Sequence, residues 1–269
     1  MLRNFPFIMI FNGREKANEI LSKLKEKIKR LNIKPGLAVI SVGSDPASKL
    51  FIKNKKKAAQ KIGIKIFYYK FKASVKEKAL LERIRKLNSN RDVNGIIVQL
   101  PLPGRLNTNR IIGQINVKKD VDGFRKKSSF SSPLISAILI ALKDSSRNLG
   151  KKKVIALVNS DIFGKTLKAS LKKKGIKITY LKNRKSSKIK SADILITVLG
   201  EPGLIKGKMV KDGVALIDAG ITVRGRNRVI GDVDRESVAG KASFLTPVPG
   251  GIGPLNVVLL LKNVYLGSR

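Results

Sequence analysis

Cysteine, histidine and tryptophan are all absent from the 269 residues. Without cysteine there is no disulfide, no thiolate metal site and no thiol nucleophile. Without histidine the commonest metal ligand and the commonest general base are both gone, and no metal site is expected. Acid–base work near neutral pH then falls to a carboxylate, a tyrosine or a lysine of shifted pKa. Long apolar runs are missing too: residues 134–142 and 257–261 stop well short of the roughly 18–20 residues that a membrane-crossing helix needs. The opening MLRNFPFIMIF has an apolar run but no small-residue cleavage site, so no signal peptide is expected and the cytoplasm is the expected compartment.

Acids are also scarce, 18 Asp and Glu against 57 Lys and Arg, for a formal net charge of +39. Such a field attracts polyanions, and nucleic acid is the first partner it suggests. The distribution argues against a dedicated site, because lysines recur in every segment (23–29, 53–57, 151–153, 172–174) without interleaved aromatics on which bases could stack. Nonspecific association at low salt is the expectation, and attraction of small anionic ligands follows from the same field.

What is present reads as a globular α/β chain of one large or two small domains, with 42% hydrophobic residues. Residues 14–31 carry apolar residues at helical spacing (Ala17, Ile20, Leu21, Leu24, Ile28, Leu31), and 36–42, GLAVISV, is an apolar run suited to a buried parallel strand. A turn at 44–48 leads to a helix through Lys61, then come a strand at 64–69, a helix at 76–88 and a strand at 95–100. This alternation implies parallel pairing through crossover helices. Gln99, at the carboxyl end of the last of these strands, stands where ligands of open α/β sheets bind. Asp120 and Asp122 of DVDG fit simple Asx-turns on turn chemistry alone.

From Val154 the pattern restarts as strand, NSDIFGK turn, helix and strand, a unit of nucleotide-binding type in which Val158 fills the place of the first glycine while Ser160 and Gly164 keep theirs. Further strands are expected at 193–199, 214–220 and 229–233, and a closing helix at 255–266. Between them lies TPVPGGIGPLN (246–256), with three prolines and three glycines within eight residues. Proline fixes φ and lacks a donor, glycine lets a ligand approach the main chain, and together they predict a stiff ligand wall.

Seven segments in collinear order, SxxFIxxKxKAAxxIG (48–63), GIIVQLPLP (95–103), KDVDGF (119–124), ADILITVLGEPGLI (192–205), DAGI (218–221), GDVD (231–234) and TPVPGGIGP (246–254), resemble one family. This is the bifunctional methylenetetrahydrofolate dehydrogenase and methenyltetrahydrofolate cyclohydrolase of the FolD type. The resemblance implies a folate-binding catalytic domain (1–132 and 253–269), a Rossmann-like parallel-sheet domain for NADP (133–252), a cleft between them and a homodimer. It implies Lys55 as the catalytic lysine, Gln99 as the residue that orients it, and Asp122 as the carboxylate that meets the pterin ring of tetrahydrofolate derivatives. Phe51, Gly253 and Pro254 fall on the substrate side, and Val158, Asn159, Ser160, Gly164 and Ile221 on the cofactor side.

The chain departs from the family pattern in several places. Phe51 stands where tyrosine is usual, which keeps the aromatic face but loses a hydroxyl, so a slower reaction is expected. Val158 replaces a glycine, and Asn159 stands where arginine or alanine is common. Asp161 sets negative charge at a helix N-terminus that should attract phosphate, which predicts weak dinucleotide binding. The segment that reads the 2′-phosphate is shortened to Leu181-Lys182-Asn183-Arg184, with Lys182 or Arg184 as the candidate cation. A cyclohydrolase with a degraded nucleotide site, a basic nucleic-acid-binding protein on the same scaffold, and a Rossmann dehydrogenase of amino or hydroxy acids are the rival readings.

Overall fold

A computed structural model describes residues 8–225 and 228–269. In chain order the first elements are β1 (Met9–Ile10), α1 (Gly13–Arg30), β2 (Gly36–Val42), α2 (Pro46–Lys61), β3 (Lys65–Phe71), α3 (Glu77–Ser89), β4 (Gly95–Val98) and α4 (Thr108–Gly113). There follow α5 (Pro133–Ser145), β5 (Val154–Val158), α6 (Asp161–Lys172), β6 (Ile178–Leu181), β7 (Ile194–Val198) and β8 (Val214–Asp218). The chain ends with β9 (Thr222–Arg224), β10 (Arg228–Ile230), α7 (Arg235–Val238), β11 (Ala242–Leu245) and α8 (Ile252–Gly267). Two compact units result, one from Lys16–Pro133 with Asn256–Arg269, the other from residues 8–15 with Leu134–Leu255. The expected domain limits differ from this by one residue at Pro133, by three at 253–255, which go with the nucleotide-type unit, and most at the N-terminus, where residues 8–15 go with that unit because β1 pairs in parallel with β11. Residues 1–7, which hold most of the segment tested for a signal peptide, lie outside the described residues.

The first unit is built on a parallel sheet of order β3-β2-β4. Every residue of β2 is buried, as a central strand covered on both faces requires. α2 starts where Asp45 caps it, its carboxylate accepting from Ser48 N at 2.7 Å, with Pro46 in the first turn, where a missing N–H costs nothing. The buried stripe of α3, Leu80, Ile84 and Leu87, packs with Ala38, Ile40 and Ile96 into one core. Ile96 also bridges Asp120 in parallel, so the DVDG segment runs beside β4.

The second unit holds a six-stranded sheet, β1-β11-β8-β7-β5-β6, parallel throughout, with a core that includes Leu157, Leu195, Leu216 and Leu245. The strand expected at 229–233 is only Arg228–Ile230, and it pairs antiparallel with β9 in a separate hairpin. Arg224 faces Arg228 in that pairing and both are exposed, which a buried parallel sheet would not tolerate. α8 begins at Ile252, earlier than expected, because the first turn of a helix leaves its N–H groups unpaired and so accepts Pro254. Among the described residues no helix is long and apolar enough to cross a membrane.

Candidate active site

In the first unit the strand order reverses between β2 and β4, and the space beyond their carboxyl ends is the natural ligand crevice of a parallel sheet. α2 follows β2, and Gln99 follows β4 with its N–H donated to the Ile40 carbonyl at 2.8 Å. Gln99 Nε2 donates to its neighbour's carbonyl, Leu100 O, at 2.9 Å, which turns the amide oxygen toward α2. There Lys55 Nζ donates to Gln99 Oε1 at 3.0 Å. Of the neighbouring lysines, Lys53 and Lys57 are exposed and Lys56 lies over the Tyr68 ring, 3.7 Å from its centre. Burial pulls the Lys55 pKa below the ordinary lysine range, and nearby Asp122 opposes that shift. Phe51 lies one turn earlier on α2 and is half-buried.

The two aspartates of DVDG take different parts. Asp120 is fully buried and builds the turn, accepting from Arg125 N at 2.8 Å and Phe124 N at 3.4 Å. Asp122 keeps some exposure, and no hydrogen bond among the described residues occupies its carboxylate. Burial pushes its pKa up to about 6, with Lys55 pulling the other way and Asp120 adding to the rise. A desolvated lysine, an amide that fixes its direction and a free carboxylate thus meet at one crevice. That set can hold a flat, N–H-rich ligand and move a proton beside it.

In the second unit the order reverses between β5 and β7. The Val158 side chain is fully buried, so the residue that replaces the expected glycine fills the core and not the crevice. Ser160 caps α6 by accepting from Phe163 N at 3.4 Å, and Asn159 Nδ2 donates to Leu199 O at 3.1 Å, joining the loops that follow β5 and β7. Gly164 acts in packing: a Cβ there would stand 2.5 Å from the Tyr180 ring, so its absence lets α6 approach β6. Ile221 lies beyond β8, and a Cβ on Gly253 would touch its Cδ1 at 3.7 Å; Pro254 follows in the first turn of α8. The capped helix start and the two joined loops suit the phosphates of a dinucleotide.

Both candidate phosphate-reading cations are already engaged. Lys182 Nζ pairs with Asp161 Oδ2 at 2.7 Å, and Arg184 pairs with Glu201. The Lys182 hydrogen bond lowers the Asp161 pKa, and Asp161 raises that of Lys182, so the pair stays charged at neutral pH. Asp161 is therefore less repulsive to phosphate than its position suggests, while Lys182 is less available. Asp161→Asn is expected to free Lys182 and lower the KM for NADP by roughly two- to fivefold, an effect that added salt should erode. Steady-state titration of NADP at two ionic strengths checks this.

A nucleotide-type parallel unit and a lysine-centred crevice on a second parallel unit define a two-part dehydrogenase architecture. The family description "Tetrahydrofolate dehydrogenase/cyclohydrolase, catalytic domain" matches residues 11–122, and "Tetrahydrofolate dehydrogenase/cyclohydrolase, NAD(P)-binding domain" matches residues 133–268. The chain belongs to this tetrahydrofolate dehydrogenase/cyclohydrolase family. It is 39% identical over 271 residues to the bifunctional protein FolD of Rickettsia bellii, covering 94% of this chain and 96% of the relative. The FolD of Nautilia profundicola is 38% identical over 275 residues, with 97% of each covered. Among solved structures, the bifunctional FolD of Campylobacter jejuni superposes with a TM-score of 0.88 at 33% identity, covering 97% of this chain and 98% of that one. The Trypanosoma brucei enzyme, solved with NADP and an inhibitor, gives 0.89 at 28% identity, with 98% and 97% covered.

Proposed function

We propose that the protein oxidises 5,10-methylenetetrahydrofolate to 5,10-methenyltetrahydrofolate with NADP and hydrolyses the product to 10-formyltetrahydrofolate, in one-carbon metabolism. The observation that carries this is the Lys55–Gln99 hydrogen bond beside the unoccupied carboxylate of Asp122. Asp122 accepts hydrogen bonds from the pterin ring and Phe51 covers its aromatic face. Loss of hydride from the methylene bridge is driven by the nitrogen lone pairs of the substrate and needs no strong base. NADP, held at Asn159, Ser160 and the N-terminus of α6, supplies the hydride acceptor when bound. The likeness to a relative solved with NADP supports that cofactor.

In the hydrolytic step water adds to the methenyl carbon and the neutral amine of Lys55 takes its proton. The bond from that carbon to N5 then breaks as N5 is protonated, with one proton released overall. A lysine desolvated as Lys55 is spends more of its time neutral near pH 7, which is what this role requires. Gln99 holds the amine in direction through both protonation states, since an amide oxygen accepts from ammonium and from amine alike.

The direct test is NADP-dependent oxidation of methylenetetrahydrofolate by the purified protein at moderate salt, beside hydrolysis of methenyltetrahydrofolate above its spontaneous rate. Both rates are expected; hydrolysis alone would assign a cyclohydrolase, and neither rate in a folded sample would sink the reading. Phe51→Tyr restores the usual hydroxyl and is expected to raise the hydrolysis rate, by up to about tenfold if it adds one hydrogen bond in the transition state. The family resemblance further supports a cytoplasmic homodimer, which sedimentation at moderate salt would report as twice the 29.5 kDa chain mass.

A further inference from the structure

We infer that Asp232 is a positioning residue of the nucleotide site, acting through the loop after β7. The inference rests on the dinucleotide reading of that crevice. Asp232 is fully buried in the GDVD turn. Its Oδ2 accepts from Leu199 N at 2.8 Å and its Oδ1 from Glu201 N at 2.8 Å. One carboxylate therefore grips two alternate amides of the loop that borders the reversal of strand order. The carbonyl of the gripped Leu199 in turn receives Asn159 Nδ2, from the turn that opens α6, at 3.1 Å. Asp232, Leu199 and Asn159 form a continuous strap across the β5–β7 crevice, and Thr222 Oγ1 adds a bond to Gly200 O at 2.9 Å.

Asp232 is itself held from the other side. Asp218 Oδ1 accepts from Asp232 N at 3.1 Å and from Gly220 N at 3.0 Å, and Asp218 Oδ2 accepts from Val233 N at 2.9 Å. Thr246, at the start of the proline-glycine loop, accepts from Asp218 N at 2.7 Å and donates to Asp218 O at 3.1 Å. The fit leaves no slack: a Cβ on Gly220 would stand 2.0 Å from Asp232 Cγ, and one on Gly231 would stand 2.1 Å from Asp218 Oδ2. The DAGI and GDVD segments are thus two halves of one lock.

A lock serving stability alone would not be built this way. No lysine or arginine among the described residues pairs with either carboxylate, and burial pushes both acids up, Asp218 to about 7. Apolar residues of similar volume hold a loop at lower cost than buried charges do. They cannot set the direction of individual amides and carbonyls, and that direction is what a phosphate or ribose meets. Asparagine at 232 keeps one carbonyl acceptor but turns an NH₂ toward the second amide, so the strap loses one end while the volume is unchanged.

The test uses the full chain with Asp232→Asn, measuring NADP affinity, the kcat of oxidation and the hydrolysis of methenyltetrahydrofolate. The dissociation constant and KM for NADP are expected to rise tenfold or more, with hydrolysis within twofold of the parent. Equal loss of both activities, or unchanged NADP affinity, overturns the inference. Hydrogen exchange on the unmodified protein covers a variant that fails to fold: Leu199 and Glu201 amides should exchange slowly and slow further with NADP, and rapid exchange would refute the strap. A parent protein that hydrolyses its substrate but binds no NADP overturns the function reading as well. A parent that binds NADP equally to its variant overturns only the role of Asp232.

Discussion

Lys55→Met should cut the hydrolysis of methenyltetrahydrofolate by roughly 10²- to 10⁴-fold, the range expected when one positioned acid–base group is removed. Methionine keeps the length and apolar stem of lysine, so the packing of α2 survives and the loss reports chemistry. Gln99 Oε1 loses the donor it now has at 3.0 Å, which adds a modest cost where that amide is partly buried. Oxidation should fall by a smaller factor, because hydride loss from the methylene bridge requires no proton transfer. NADP affinity, carried by the other unit, should be unchanged. Rates for the two reactions measured side by side on the same preparation decide the matter. An equal loss in both would mean that Lys55 chiefly orders the substrate, and no loss would remove it from the mechanism.

Asp122→Asn should raise the KM for the folate substrate by roughly 10- to 100-fold, the equivalent of losing charge-assisted hydrogen bonds of about 1.5–3 kcal/mol. The pH dependence of the parent enzyme provides a second reading of the same group. Its pKa is about 6, so substrate affinity should fall as pH drops through that value and the carboxylate takes up a proton. In the asparagine variant that acid limb should vanish. Stability moves in the opposite direction. Because the folded pKa lies above the ordinary carboxylate value, the ionised side chain destabilises the fold, a cost that sets in between about pH 4 and 6 and stays constant above. Removing the charge should therefore raise the Tm at pH 8 while it weakens binding, and thermal melts at pH 5 and 8 test the sign.

Much of this arrangement can be read along the chain. The apolar runs of β2, β4, β5, β7 and β8, alternating with amphipathic stretches, specify parallel sheets because strands covered on both faces must be apolar throughout. Lys55 is singled out from its basic run by the family resemblance, and Gln99 also by its place at the end of a strand. Asp120 and Asp122 could not be separated, since both fit a turn and only the bridge to Ile96 determines which one is buried as a hydrogen-bond acceptor. Gly164 keeps its place in the nucleotide-type turn, and the Tyr180 ring that packs against it comes from another strand, which the local stretch does not record. Val158 looked like an obstruction, yet its side chain lies in the core.

Residue type and short-range periodicity along the chain carry the two parallel folds and the exclusion of histidine and thiol chemistry, and the family resemblance carries the lysine-centred site. Tertiary structure alone decided the partners of the charged groups. Asp161 found Lys182, Arg184 found Glu201, and Asp232 closed on Leu199 and Glu201 across more than thirty residues of chain. Hydrogen bonds and ion pairs act over a few ångströms in space. Which groups come that close is settled by how strands and helices pack, and nothing in a local stretch of chain records it.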